Sequence, residues 1–124
     1  KVHFKGRIKG EQNRRFRESN LVFKKGNQMI NKNEVLHWAN ERGLLNPENK
    51  FMQMGKMVSE VGELCDAIIK DDKNGQIDGI GDVLVTLIIL ANQLGYDIED
   101  CLEVAYNEIK NRKGETINGT FIKE

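Results

Sequence analysis

The chain of 124 residues is poor in several features on which whole classes of protein depend. Its two cysteines, Cys65 and Cys101, form no CxxC motif and no Cys/His cluster, so we expect no zinc site and two small apolar residues in a reducing compartment. No apolar run approaches the roughly 20 residues of a membrane span, and no apolar signal region follows the basic N-terminus. These absences predict a cytoplasmic protein without a membrane segment.

Proline and aromatic residues are also scarce: Pro47 is the one proline, and aromatics make up 6% of the chain. Helical apolar spacing with capping and terminating residues predicts an all-α, four-helix bundle-like fold. We expect the last ten residues to form a tail that packs on a neighbour. The four predicted helices run from Asn31 or Asn33 to Gly43, from Asn46-Pro47 to about Lys70, from about Gln76 to Leu94, and from the cap Asp97 to Gly114, with a turn at 71–75.

The chain has no net charge, yet its basic residues are concentrated before position 28. Met29 begins a segment that resembles an ordinary start, so we expect a basic N-terminal extension at 1–28 and the functional domain at 29–124. Weak alternation of apolar residues allows the extension to be a short hairpin, and a mobile arm is the alternative. A basic arm is also typical of proteins that bind nucleic acid, although we do not favour that function.

Four carboxylates lie on the two central predicted helices. Glu60 and Glu63 are three residues apart on a narrow polar stripe, and Asp78 and Asp82 are four apart on a helix that is otherwise apolar. Such acids are costly to bury unless they are paired or bind a metal, and Mg²⁺ prefers oxygen ligands. Acids three apart are also common on solvated helix faces. Gly79 and Gly81 predict a close approach by a helix or a phosphate, unless the helix begins later.

Three segments carry a resemblance to a known family: Lys56-Met-Val-Ser-Glu-Val-Gly-Glu-Leu, Gly81-Asp-Val-Leu-Val-Thr-Leu and Asn92-Gln-Leu-Gly. From about Asn31 to Phe121 the chain resembles the MazG-like, all-α nucleoside triphosphate pyrophosphohydrolases. The family pattern is Glu-x-x-Glu, a spacer and Glu-x-x-Asp, which Glu60, Glu63 and Asp82 match. Gly79 replaces the family's remaining glutamate, and Asp78 is the nearest acid. Small phage-type members resemble this chain in an Asp-x-x-x-Asp arrangement.

The resemblance implies Mg²⁺-dependent hydrolysis of an NTP or dNTP to the monophosphate and pyrophosphate, with Mn²⁺ as an alternative metal. It implies metal binding by Glu60, Glu63, Asp78 and Asp82, with Glu60 or Glu63 as the catalytic base. The implied substrate-binding residues are Trp38 for the base, Lys56 for a phosphate, and the cluster of Asn107, Lys110, Arg112 and Lys113 for the triphosphate. Each assignment has an alternative. Trp38 could belong to the core, Lys56 could be solvated, and the C-terminal cations could be placed there by the negative end of the helix dipole.

Nothing in the sequence selects the base. A dUTP- or dCTP-specific enzyme and a phosphoribosyl-ATP pyrophosphatase therefore stay as rival functions. A further rival, from another class, is a nucleic-acid-binding or regulatory module with a vestigial metal site. We expect a homodimer or homotetramer, because the third helix is too apolar to be covered by one chain and because family members build sites at subunit contacts.

Overall fold

The computed structural model describes residues 30–124. The expected basic extension at 1–28, with its alternatives of an arm or a hairpin, lies outside the described residues. Within them the chain is mainly helical, which confirms the all-α prediction, and a two-stranded sheet is added at the end. The elements are α1 (Lys32–Glu41), a 3₁₀ turn (Pro47–Asn49), α2 (Lys50–Ile69), α3 (Lys73–Gln93), α4 (Ile98–Ile109), β1 (Gly114–Ile117) and β2 (Thr120–Lys123).

Local capping explains where α1 and α2 begin. The Asn31 side chain accepts a hydrogen bond from the Asn33 N–H at 2.8 Å, and Glu34 Oε2 accepts one from the Asn31 N–H at 2.6 Å. This reciprocal capping box confirms Asn31 as the start of α1. At the second predicted start, Asn46 and Pro47 open a 3₁₀ turn instead of a regular α-helix, which α2 then continues from Lys50.

Helix α3 begins three residues earlier than the sequence predicted, so the expected turn at 71–75 is wrong in its second half. The Asp72 side chain caps the helix by accepting a hydrogen bond from the Gly75 N–H at 3.0 Å. A Cβ built on Gly75 would lie 2.5 Å from Asp72 Oδ2 and 3.0 Å from Ala67 Cβ. A side chain at position 75 would collide with the Asp72 cap and with α2, which explains why a glycine stands inside this helix.

The main contact in the described chain is the antiparallel pair of α2 and α3. Gly79 on α3 lies against Leu64 on α2, and the Gln76 side chain donates a hydrogen bond to the Ala67 carbonyl at 3.3 Å. Helix α1 packs on α3, with Ala39 fully buried. The buried apolar residues are few and small, which leaves much apolar surface without cover in a single chain; among residues 30–124 they are Ala39, Ala67, Ile89 and Ala91.

The uncovered surface follows α2 and α4. On α2 the buried residues that face α3 are Glu60, from the predicted polar stripe, and Ala67, whereas the apolar side chains of Val58, Val61 and Ile68 are exposed. On α4 Leu102 is 70% exposed, and every residue at 99–124 is exposed. The fourth helix therefore extends from the end of α3 and does not pack along the other helices of its own chain.

The C-terminal segment differs from the prediction. Helix α4 ends at Ile109 instead of Gly114, and the expected tail is an antiparallel hairpin that pairs Gly114 with Lys123 and Ile117 with Thr120. Asn118 and Gly119 have φ values of 51° and 80°, the positive values required by a two-residue hairpin turn. The signal was present in the sequence, since Asn-Gly between apolar alternations is the strongest local signature of a hairpin.

Of the described helices, α3 alone is long and apolar enough to cross a membrane by length and composition, with a mean hydropathy of 1.3 over its best window. The expectation that no segment approaches that length was therefore too strict. Length and composition are weak evidence of a span, because a central bundle helix has the same character. Helix α3 packs against both α1 and α2, and 22% of its apolar window is buried within the described chain.

Candidate functional site

The centre of the α2–α3 pair holds a buried acid. Glu60 is 6% exposed, and its Oε1 lies 2.9 Å from the ammonium nitrogen of Lys56, one turn earlier on α2. The lysine stem leads outward, because the Lys56 side chain is 62% exposed. A carboxylate so deeply buried needs compensation for the loss of its hydration, and the lysine supplies part of it.

Glu63 and Asp82 complete an acidic cluster, by which we mean Glu60, Glu63 and Asp82. The pKa of Glu60 is lowered, first by the hydrogen bond from Lys56, against the opposing effect of burial. Glu63 and Asp82 lie within hydrogen-bonding reach of Glu60. The pKa of Lys56 is raised, first by Glu60 and more weakly by Glu63 and Asp82. The structure thus brings four of the predicted residues together from two helices.

The surroundings of the second carboxylate oxygen of Glu60 indicate whether the acidic cluster suits a metal ion. Glu60 Oε2 is buried and has no hydrogen-bond donor, because its carboxylate neighbours have none to offer when ionised. A buried acceptor in this state costs about 1–3 kcal/mol or more. A cation beside Glu60 Oε2 would remove that cost, and the carboxylate oxygens of Glu60, Glu63 and Asp82 are the type of ligand that Mg²⁺ prefers. Among residues 30–124, no three acidic, His or Cys side chains stand in a ready-made metal-binding arrangement.

Asp78 is placed at the edge of the cluster. It is exposed on α3, one turn before Asp82, whereas Asp82 is half-buried. Because Leu64 lies opposite Gly79 in the antiparallel pair, Glu63 lies at the level of position 80, midway between the two aspartates. Asp78 is therefore nearest to the Glu63 side of the cluster, away from Glu60.

The two glycines beside these acids have different surroundings. A Cβ built on Gly79 would lie 3.0 Å from Leu64 Cβ and 3.1 Å from Leu64 Cα, so the predicted close approach of a helix is confirmed there. Gly81 is exposed and has nothing within 4 Å of such a Cβ. The glutamate that the family carries at position 79 would thus have to begin inside the helix contact.

Trp38 lies beside an open cleft, 45% exposed, and not in the core. The cleft has a volume of about 290 Å³, and its lining is apolar apart from Glu34; the lining residues are Ile30, Glu34, Val35, Trp38 and Val85. The guanidinium carbon of Arg42 lies 4.5 Å from the centre of the Trp38 ring, and Arg42 Nη1 donates to the Trp38 carbonyl at 3.0 Å. The indole is thereby fixed by a cation on its face.

Sequence reasoning missed both charged neighbours of Trp38. Glu34 and Arg42 are four residues before and after it, so all three lie on one face of α1, and that spacing is readable in the sequence. Gln53, on the same polar stripe of α2 as Glu60, has a side chain that donates a hydrogen bond to the Thr86 carbonyl at 3.4 Å.

A second cavity, of about 330 Å³, lies on the other flank of α1 at the C-terminal end of α3. Lys32 forms ion pairs there with Asp97 and with Glu99, the latter at 3.3 Å. Asp97 also caps α4, as predicted. These contacts join the beginnings of α1 and α4, so this cavity is part of the helix junction and none of its lining residues belongs to the acidic cluster.

The predicted triphosphate residues are remote from the cluster along their own chain. Asn107, Lys110, Arg112 and Lys113 are all exposed at the far end of α4 and just beyond it. Helix α4 leaves the C-terminal end of α3, whereas Asp82 is at the middle of α3. The structure does not bring these four residues into the site of the same chain.

Comparisons with known proteins assign a family to part of the chain. The family model of the MazG nucleotide pyrophosphohydrolase domain matches residues 52–116, which include the acidic cluster and the basic C-terminal residues but exclude Trp38. An "Uncharacterized 18.2 kDa protein in rep-hol intergenic region" of Haemophilus phage HP1 (strain HP1c1) is 36% identical over 66 residues.

The phage match covers 53% of this chain and 40% of that protein, so the chain spans well under half of its relative. A phage relative is consistent with the resemblance to small phage-type members. No solved structure matches the chain. Because the family model covers more than half of the residues, the chain belongs to the MazG nucleotide pyrophosphohydrolase domain family.

Proposed function

We propose that the chain hydrolyses nucleoside triphosphates, NTP or dNTP, to the nucleoside monophosphate and pyrophosphate, in a reaction that depends on Mg²⁺ and that Mn²⁺ also supports. The observation that carries the proposal is the buried Glu60 Oε2, which has no donor and lies beside Glu63 and Asp82. Family membership supports nucleotide pyrophosphohydrolysis as the general activity. The substrate class and the metal are the finer parts of the proposal.

Glu60, Glu63 and Asp82 would hold the metal, with Asp78 as the fourth carboxylate at the Glu63 side. Bound Mg²⁺ supplies charge neutralisation for the phosphates and lowers the pKa of a water molecule. Glu60 is suited to a fixed ligand role, since α3 covers it and Lys56 holds one of its oxygens in place.

We assign the proton-accepting role to Glu63. A carboxylate whose pKa is lowered is a weaker base, and Lys56 lowers the pKa of Glu60. Glu63 is exposed at the rim, where a water molecule has access to it. In the proposed reaction the water oxygen forms a bond to phosphorus, its proton passes to Glu63, and the bond between the α and β phosphates breaks to release pyrophosphate.

We propose that the cations which offset charge on the pyrophosphate come partly from a second copy of the chain. Lys56 is available in the same chain, since its ammonium already lies at the mouth of the cluster. Lys110, Arg112 and Lys113 are exposed just beyond the end of α4, remote from the acidic cluster of their own chain. The exposed apolar stripes of α2 and α4 are of the kind that pair in an obligate homodimer or homotetramer, which would bring α4 of one copy to the cluster of another.

We also propose a cytoplasmic location. Cys65 and Cys101 are both free and exposed, which suits a reducing compartment where nucleoside triphosphates occur.

A panel of NTPs and dNTPs tests the activity. Each nucleotide is incubated with the chain, with and without Mg²⁺, and the monophosphate, pyrophosphate and inorganic phosphate are measured separately. The proposal expects monophosphate and pyrophosphate in equal amounts and only with metal. Release of inorganic phosphate alone, or no release from any member of the panel, would reject it.

A further inference from the structure

The two carboxylate oxygens of Glu60 have different surroundings. Oε1 lies 2.9 Å from the ammonium nitrogen of Lys56, whereas Oε2 is buried and has no hydrogen-bond donor among the described residues. Glu60 is almost fully buried against α3, so its carboxylate has little room to turn and exchange the two oxygens. One oxygen is therefore committed to an ammonium ion, and the other is left for a different cation.

Helix stability does not account for this ion pair. A lysine four residues before a glutamate is the weaker of the two possible orders on an isolated helix. The main effect of the pair is on Glu60, because Lys56 supplies a counter-charge to a buried acid while its own side chain stays 62% exposed. The ammonium fixes Oε1 and occupies one side of it.

Mg²⁺ and Ca²⁺ make different demands on a carboxylate. Mg²⁺ requires near-octahedral geometry at about 2.0–2.1 Å, which suits one oxygen from each carboxylate, whereas Ca²⁺ accepts about six to eight oxygens at 2.3–2.6 Å and often takes both. A calcium ion held by both oxygens of Glu60 would share Oε1 with the Lys56 ammonium and would be repelled by it. A magnesium ion on Oε2 alone requires no such sharing.

We propose that Lys56 makes Glu60 a ligand through one oxygen and thereby selects Mg²⁺ over Ca²⁺ at the acidic cluster. The inference rests on the proposed function, since it requires that the cluster binds a metal ion. Lys56 is a positioning residue in this role, because it acts on the metal ion through Glu60. Its ammonium has three donors, so it can hold Oε1 and still donate to a phosphate.

Metal binding without any nucleotide tests the selection. Free Mn²⁺ gives an electron paramagnetic resonance signal that is lost on binding, so displacement of bound Mn²⁺ by Mg²⁺ or by Ca²⁺ gives a Kd for each ion. Lys56→Met keeps an apolar stem without the ammonium and makes both oxygens of Glu60 available. We expect the ratio of the Kd for Ca²⁺ to the Kd for Mg²⁺ to fall by about tenfold from its wild-type value.

The ratio separates coordination from charge. Loss of one positive charge affects two divalent ions alike, so Lys50→Met, at an exposed position on the same helix, should leave the ratio unchanged. Lys56→Arg keeps a cation beside Oε1 and should also keep the wild-type ratio. Lys56→Gln is a second uncharged variant, for use if Lys56→Met does not fold, and it should lower the ratio as well.

An unchanged ratio in an uncharged variant that has wild-type helicity by circular dichroism would overturn the inference. An equal fall in Lys56→Arg, or no binding of Mn²⁺ to the wild-type chain, would also overturn it.

The outcome is distinguishable from that of the proposed function. A lowered ratio in Lys56→Met without hydrolysis of any triphosphate by wild type would support the role of Lys56 and reject the pyrophosphohydrolase proposal. Mg²⁺-dependent release of pyrophosphate by wild type, together with an unchanged ratio in Lys56→Met, would reject the inference and leave the proposed function in place.

Discussion

Gly79 lies directly against Leu64 where α3 crosses α2, and a Cβ built on it would be 3.0 Å from Leu64 Cβ. Three atoms of Leu64 would lie within 3.1 Å of this Cβ, and one of them is the backbone Cα, so the neighbour has little freedom to move. The close approach of the two helices, and with it the spacing of the acidic cluster, therefore depends on the absence of a side chain at this position.

The first prediction compares two glycine substitutions on the same helix. Gly79→Ala should lower the free energy of unfolding by about 1–3 kcal/mol through overpacking. Gly81→Ala, which meets open space, should raise it by about 0.5–1 kcal/mol, as expected for an exposed helix position. Urea denaturation followed by circular dichroism measures both. Equal effects of the two substitutions would contradict the close contact of α3 with α2 at Gly79 and Leu64.

The second prediction concerns Asp78. If it serves as the fourth carboxylate, Asp78→Ala should reduce Mg²⁺-dependent activity comparably to Asp82→Ala and raise the Mg²⁺ concentration needed for half-maximal rate. Gly79→Glu, which restores the family's residue, should give no gain, because the new side chain begins inside the contact with Leu64. A silent Asp78→Ala together with a gain from Gly79→Glu would show a three-carboxylate site that lacks its fourth member.

The third prediction uses the pH dependence of the Lys32–Asp97 ion pair. The pKa of Asp97 is lowered, first by the hydrogen bond from Lys32, so its contribution to stability is present above the ordinary value of 3.8 and is lost as the pH falls below it. The pKa of Lys32 is raised, first by the hydrogen bond to Asp97, so its contribution is present below 10.5 and is lost as the pH rises above it.

Lys32→Met should therefore lower the Tm between these limits, and the difference from wild type should shrink at both extremes. Thermal unfolding at low salt measures it, since screening weakens an exposed pair. Lys70→Met, at an exposed position after α2, serves as the control and should change the Tm little at any pH. A Tm difference that stays constant across the whole range would mean that Lys32 acts by packing alone.

Much of the local structure was predictable because it depends on short-range chemistry. Asp97 caps a helix at the predicted position, and Asn31, one of the two predicted alternatives, caps α1. Gly95, with a φ of 85°, ends α3 where its sequence position indicated. The start of α3 was mispredicted because Asn74 and Gly75 are typical of turns, whereas the Asp72 cap and the packing of Ala67 stabilise them as helix. The Asn118-Gly119 hairpin was readable but was taken for a tail.

Tertiary orientation was the part that the sequence left open. Helix α2 has an apolar stripe and a polar one, and both are compatible with burial when several copies of a chain assemble. In the structure it is the polar stripe, with Glu60, that faces α3, while Val58 and Ile68 are exposed. Periodicity identifies a stripe but cannot tell which neighbour covers it. The four-residue spacing of Lys56 and Glu60 allows their ion pair, but it does not reveal that Glu60 is buried.

The fourth prediction tests whether α4 acts on the site of a second copy. Glu63→Gln and the double variant Lys110→Ala/Arg112→Ala should each be inactive alone. Coexpressed in equal amounts, they should recover about one quarter of wild-type activity, because half of randomly formed dimers contain one site with both sets of residues intact. If activity does not return although size-exclusion chromatography shows mixed dimers, the basic residues do not act in trans.

The proposed hydrolysis depends most on the acidic cluster around Glu60. Its most direct test is the Mg²⁺-dependent release of pyrophosphate from a preferred triphosphate by wild type, Glu63→Gln and Asp82→Asn, with the exposed Glu48→Gln as control. We expect the two cluster variants to lose at least about a hundredfold in kcat and to keep a helical circular dichroism spectrum like that of wild type. The control should have normal activity. Near-normal pyrophosphate release by either cluster variant would contradict the role of the acidic cluster.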